Sequence, residues 1–255
     1  MVAIFSAPFT PVEAVLPALR QHGHAVLTPD SVAALCGIDI AMLDALMPSW
    51  NDLPPDTYLL DGGSYRRRRH SCFVVGEAAV VQAPHRAHWQ SRDYNALHGG
   101  MQRWFEPIAP DVVAQPAWGR VLQALGDLFA QLRDARPWYV EAHQFRIDTS
   151  DGIGRPTPEG AHRDGVDFVA VFIVQRDGIK GGETRVFEAT GPNGQRFTLS
   201  EPWSLLLLDD ARVIHESTPI QPLDALGHRD TLVLTYRAGA FQGEDEVEAE
   251  PRERG

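Results

Sequence analysis

From Trp138 onward the chain is a succession of short apolar runs, rich in β-branched and aromatic residues and separated by Gly, Pro, Asn and Asp. They are Trp138 to Thr149, Val166 to Gln175, Glu183 to Thr190, Arg196 to Leu199, Trp203 to Leu208, Arg212 to His215 and Thr231 to Tyr236. That spacing predicts an antiparallel β-sandwich or barrel. The preceding part reads mostly as helix and supplies material to cover one face of it. One helix starts at Pro11 with Thr10 as its N-cap, and a longer one runs from about Asp30 to Met47, begun by Thr28-Pro29 or Asp30. His24 to Leu27 reads as a short strand between them. A third helix, Trp118 to Leu132, has Val121, Leu122, Leu125, Leu128, Phe129 and Leu132 at helical spacing.

Between these lie turn material at Asp61-Gly62-Gly63-Ser64, the basic run Arg66-Arg67-Arg68-Arg69 and a strand-like Cys72 to Val75. The expected organisation is a helical region over 1–60, a β-domain with supporting helices over 61–242 and a tail over 243–255, forming one compact unit. From Glu244 to Gly255 there are six acids against two arginines, so the tail is expected to be solvated.

A net charge of -11 offers no phosphate-binding surface and argues against a nucleic-acid partner. The first residues lack the basic segment of a signal peptide. Apolar runs such as Leu205 to Leu208 stop far short of a membrane span, here at Asp209, so a cytoplasmic protein without a membrane partner is expected. The two cysteines, Cys36 and Cys72, form no CxxC, and Cys36 reads as a buried thiol. Any metal site must therefore use His and carboxylate.

His162-Arg163-Asp164 stands directly before the strand-like Val166 to Val174. Residues i and i+2 of an extended chain point to one side, so both side chains can reach one ion. His215 follows the apolar run Leu205 to Leu208 at the distance of a later strand of the same barrel. Two histidines and one carboxylate on one face, with the remaining positions open, suit a non-haem Fe(II) oxygenase. In Arg229-Asp230-Thr231, Arg229 and Thr231 share a strand face, and Leu232, Leu234 and Tyr236 share the other. A guanidinium beside a hydroxyl suits a carboxylate. Arg237 shares the face of Arg229 but lies roughly 26 Å further along the strand.

Within Arg66 to Arg69 a solvated strand competes with a reading in which alternation sends two arginines, Arg66 and Arg68, inward to meet a substrate carboxylate. Gln144 and Arg146 share a strand face and are further pocket candidates. His22, His24, His85, His88 and His98 have no partner at ligand spacing and read as surface or capping residues, and Gly181-Gly182 reads as a plain turn or bulge.

His162-Arg163-Asp164, His215 and Arg229-Asp230-Thr231 match the HxD…H…RxS/T pattern of 2-oxoglutarate/Fe(II)-dependent dioxygenases. The stretches 162–169, 179–184 and 209–215, and the arginine-rich 61–69, resemble the bacterial family that includes the L-isoleucine 4-hydroxylase and proteins linked to biofilm regulation. The resemblance covers roughly residues 60 to 238. It implies an α+β protein with a double-stranded β-helix (jelly-roll) core packed against N-terminal helices. It also implies Fe(II) held by His162, Asp164 and His215, and 2-oxoglutarate anchored by Arg229 with Thr231. Dioxygen and a small-molecule substrate, a free aliphatic amino acid or a similar metabolite, would be the partners. Two other readings compete. One is a non-catalytic jelly-roll protein that holds a metal or ligand in a regulatory role. The other is a cupin-like enzyme using the metal alone, which has no need of the Arg229-Asp230-Thr231 anchor.

Overall fold

The computed structural model describes residues 5–95, 97–223 and 225–244, so most of the expected acidic tail lies outside the described residues. The described residues form twelve strands: β1 (His24–Leu27), β2 (Arg66–Val75), β3 (Val80–Gln82), β4 (Trp138–Asp148), β5 (Phe168–Asp177), β6 (Ile179–Gly181), β7 (Thr184–Glu188), β8 (Gly194–Phe197), β9 (Leu205–Asp209), β10 (Val213–Ser217), β11 (Ile220–Pro222) and β12 (His228–Ala238). The α-helices are α1 (Val15–His22), α2 (Pro29–Cys36), α3 (Ile40–Asp44), α4 (Pro110–Val113) and α5 (Pro116–Ala130).

Seven strands form one antiparallel sheet in the order β1-β9-β5-β12-β4-β2-β3. The three-stranded β10-β7-β8 sheet and the β11-β6 pair cover its inner face. Val186, Phe197 and Val213 pack there on Val169, Ile173, Leu206 and Leu208, and Ile220 packs on Tyr65 and Ile147. The result is the expected jelly-roll core. On the outer face Leu122, Leu125 and Phe129 of α5 meet Val140, Phe168, Leu234 and Tyr236, and the Tyr236 hydroxyl donates to the Leu122 carbonyl at 3.0 Å. Strand alternation thus divides β12 between two environments: even-numbered side chains Leu232 to Tyr236 join the helices, and Arg229, Thr231, Val233 and Thr235 face inward. Leu234 is fully buried, so Leu234→Ala is expected to cost about 2–5 kcal/mol in chemical denaturation.

The expected helix over 30–47 is broken. Thr28 caps α2 by accepting from the Ser31 amide, and Gly37, at φ 61°, ends it in a left-handed turn. Asp39 then caps α3 through the Ala41 amide, and Met47–Asp52 forms a 3-10 turn. Thr10 caps nothing: the first helical turn begins at Val12 without a side-chain cap. Gly181 is the last residue of β6 and Gly182 follows it, both with positive φ, and a Cβ at Gly181 would come within 2.3 Å of the Pro219 carbonyl oxygen. The described residues of 83–109 include neither helix nor ladder strand.

Candidate active site

The inner face of β2, β4 and β12 is built in rows across the sheet. Arg66 stands opposite Ile147, which stands opposite Arg229; the next rows are Arg68-Phe145-Thr231 and His70-His143-Val233. A cavity of about 130 Å³ opens over these rows. His162, Asp164 and His215 line its opposite wall.

His162 and His215 exchange backbone hydrogen bonds of 3.0 Å in each direction, which brings the end of the HxD loop alongside β10. The imidazole centroids are 4.6 Å apart. Nε2 of His162 lies 3.8 Å from Asp164 Oδ1, and Nε2 of His215 lies 3.7 Å from Asp164 Oδ2. Nδ1 of His162 donates to the Gly160 carbonyl at 2.9 Å, which leaves the Nε2 lone pair directed at the carboxylate. The HxD loop is held from behind by Asp210, fully buried, whose two oxygens accept from the amides of Asp164, Gly165 and Val166 at 3.0, 2.8 and 3.1 Å. Asp210→Asn is therefore expected to leave the protein folded and weaken its metal affinity about 10–100-fold in a Mn(II) titration.

The electrostatics favour a cation between these three side chains. Burial pushes the Asp164 carboxyl up to about 7, against the pull of His162. Burial, the largest single influence, disfavours charge on His162, but Asp164, Glu159 and the Gly160 carbonyl together outweigh it and raise the imidazole; burial and His162 hold His215 well below its usual value. The three donors lie within 4.8 Å of one another. Separations of 3.7 and 3.8 Å are within reach of ligands each about 2.0–2.2 Å from one ion. One anionic and two neutral donors facing a cavity fit Fe(II).

Arg229 is 4% exposed. Its Nη2 reaches Ser217 Oγ at 3.5 Å, Nε has no hydrogen-bond partner, and it pairs with no carboxylate among the described residues. Burial, with Arg176 nearby, lowers its pKa to about 9. A buried, uncompensated guanidinium beside Thr231 is a fit for a carboxylate.

Arg66 and Arg68 point inward as alternation predicts, while Arg67 is exposed and Arg69 reaches Glu106. Gln144 and Arg146 share a face, but the other one: Gln144 donates to Ser49 Oγ, and Arg146 binds Asp230 and Asn51. Phe145 and Ile147 hold the cavity side of β4 instead. His88 and His98 are buried and line the cavity, contrary to the surface reading, because segment 83–109 folds over it. That segment also supplies Gln90, Asn95 and Arg103, which no periodic signal marks; Gln90 Nε2 reaches Asp164 Oδ1 at 3.4 Å.

His70, His88, Glu141 and His143 form a second group of donors, all buried, that could hold a metal ion. Here Glu141 Oε2 accepts hydrogen bonds from His70 at 2.9 Å and His88 at 2.6 Å, closer than the donor separations of the first group. Burial lowers His88 to about 3, whereas the two histidines hold the Glu141 carboxyl far below its usual range although burial opposes this.

The family model for 2OG-Fe dioxygenases matches residues 47–235. The chain belongs to the 2OG-Fe dioxygenase family. This dioxygenase is an oxidoreductase whose cofactor and cosubstrate are Fe(II) and 2-oxoglutarate, which sets aside the non-catalytic and cupin-like readings. The crystal structure of a bsmA homologue from Methylobium petroleophilum PM1 is 54% identical, with a TM-score of 0.88 over 95% of this chain and 99% of that one. IDO from Bacillus thuringiensis is 17% identical, with a TM-score of 0.73 over 90% of this chain and 100% of that chain. The Fe(II)/α-ketoglutarate-dependent dioxygenase TqaL is 19% identical, with a TM-score of 0.70 over 91% and 88%. The last two likenesses concern the fold alone. No curated protein sequence matches the chain. No single helix among the described residues is long and apolar enough to cross a membrane.

Proposed function

We propose that the dioxygenase hydroxylates a free aliphatic amino acid or a similar small metabolite, as the L-isoleucine 4-hydroxylase type does, with release of succinate and CO2. The observation that carries this reading is the buried Arg229, without a carboxylate partner among the described residues, in the same cavity as the convergent His162, Asp164 and His215. In this reading those three hold Fe(II), which together with 2-oxoglutarate and dioxygen supplies the oxidation of an unactivated C–H bond. Arg229 takes the distal carboxylate of 2-oxoglutarate by charge-assisted hydrogen bonds, and the Thr231 and Ser217 hydroxyls complete that cradle. Val171, Leu206 and Val233 give the cavity an apolar wall that excludes water and accepts an aliphatic side chain. Arg66 and Arg68 lie within reach of the substrate's polar end.

In this reading the β-domain over 61–242 carries the whole site and the helices of 1–60 support it from behind. Two buried, unpaired cysteines accord with action in the cytoplasm. The test is a screen of free amino acids for stimulation of succinate release by the Fe(II)-loaded enzyme. At least one aliphatic amino acid is expected to raise release about tenfold or more, and its consumption should match the succinate formed. No stimulation by any of them contradicts the proposed substrate class.

A further inference from the structure

Besides Arg229, three arginines are buried along the cavity: Arg66, Arg68 and Arg103, at 6%, 3% and 2% exposure. Their charges are compensated unevenly. Arg66 Nε is 2.7 Å from Asp56 Oδ2, while Arg68 comes no nearer than 3.8 Å to the same carboxylate. Arg103 donates to the neutral Gln90 Oε1 at 3.1 Å and pairs with no carboxylate among the described residues. Glu141, the other carboxylate on this side, already accepts from His70 and His88. Glu159 stands beside the triad, 3.5 Å from His162 Nε2. Nε of Arg68 and Nε of Arg103 are buried without partners. Leaving such donors unmatched in a dry interior is unfavourable, and a bound anion removes the penalty.

The guanidinium of Arg68 is held rigidly. Its carbon sits 3.8 Å from the Phe105 ring centroid and 4.5 Å from that of Phe145, and Nη2 donates to His143 Nδ1 at 2.7 Å. Because a guanidinium only donates, His143 Nδ1 accepts, and the proton of the neutral imidazole resides on Nε2, 4.0 Å from Glu141. That tautomer has no Nε2 lone pair for a metal. The buried His70-His88-Glu141-His143 group therefore supports Arg68 from behind.

The geometry points to Arg68 and Arg103 as a clamp for a carboxylate of the substrate, separate from the 2-oxoglutarate anchor, with His143 as a positioning residue. Arg68 and Thr231 share a cross-strand row with β4 between them, two strand spacings or about 10 Å apart. The cavity thus has two carboxylate sites, and the substrate is anionic at the end remote from the reacting carbon. Arg66, committed to Asp56, is a positioning residue. This rests on the hydroxylase reading above and narrows its substrate class.

The test uses the full chain without oxygen, with Mn(II) and saturating 2-oxoglutarate so that the Arg229 site is filled. Thermal unfolding is followed while 4-methylpentanoate or its neutral counterpart 4-methylpentanamide is titrated. The acid is expected to stabilise saturably and the amide not to. The Arg103→Gln and Arg68→Gln variants should bind the acid at least tenfold more weakly, and Arg67→Gln, on the exposed face, like the parent. If Arg68→Gln does not fold, Arg103→Gln decides. Equal stabilisation by acid and amide, no stabilisation by the acid, or parental affinity in Arg103→Gln overturns the clamp. If 2-oxoglutarate alone gives no shift, the hydroxylase reading fails, and the acid titration without it still decides the clamp.

Discussion

Arg229→Ala is expected to raise the 2-oxoglutarate concentration for half-saturation by about one and a half to three and a half orders of magnitude. The substitution leaves a carboxylate uncompensated in a buried site, which costs roughly 2 to 5 kcal/mol, and each 1.4 kcal/mol is about tenfold. Arg229 pairs with no carboxylate among the described residues, so the penalty falls on the cosubstrate. Arg237→Ala should change the same constant little, because Arg237 stands eight residues further along β12 and donates to the carbonyls of Ala240 and Phe241. Steady-state titration of 2-oxoglutarate against both variants checks this, and the reverse ordering contradicts the assignment.

Asp164→Ala is expected to abolish turnover coupled to succinate release, because it removes the one anionic donor of the three. The fold should survive. Asp210 holds the loop through backbone amides, and those hydrogen bonds do not involve the Asp164 side chain. Burial already disfavours the charged carboxylate there, so the metal-free protein loses little or no stability on its removal. Calorimetry of the metal-free variant and metal analysis after reconstitution check the two halves separately. Parental succinate production by the folded variant contradicts a ligand role for Asp164.

The parts of the site that sequence reveals are those governed by strict strand alternation or fixed spacing. In β12 the period of two separates Arg229 and Thr231 from Leu232, Leu234 and Tyr236, and both faces find the expected surroundings. His162 and Asp164, two residues apart, converge with His215 as expected. The same alternation in β4 groups Gln144 with Arg146 but is silent on which face is the cavity. The Gln144 Nε2 and the Arg146 guanidinium find partners on the helix side in Ser49, Asn51 and Asp230, while Phe145 and Ile147 turn inward. Gly37 and Asp39 are stop and start signals in plain view, yet the apolar period on either side reads through them. Three-residue strands such as β6 and β11 are too short to carry a period. The residues of 83–109 that roof the cavity, His88, Gln90, Asn95, His98 and Arg103 among them, are placed by tertiary contacts of an irregular segment with no period to read.

The most direct measurement is an anaerobic titration of the purified protein with Fe(II) and then 2-oxoglutarate, followed by the weak visible charge-transfer band of the chelated cosubstrate. One band per chain is expected, absent in Asp164→Ala and, in Arg229→Ala, reached only at about ten or more times the 2-oxoglutarate concentration. A folded parent protein that gives no band, or a band that persists unchanged in Asp164→Ala, contradicts the assignment of His162, Asp164 and His215 as the iron site.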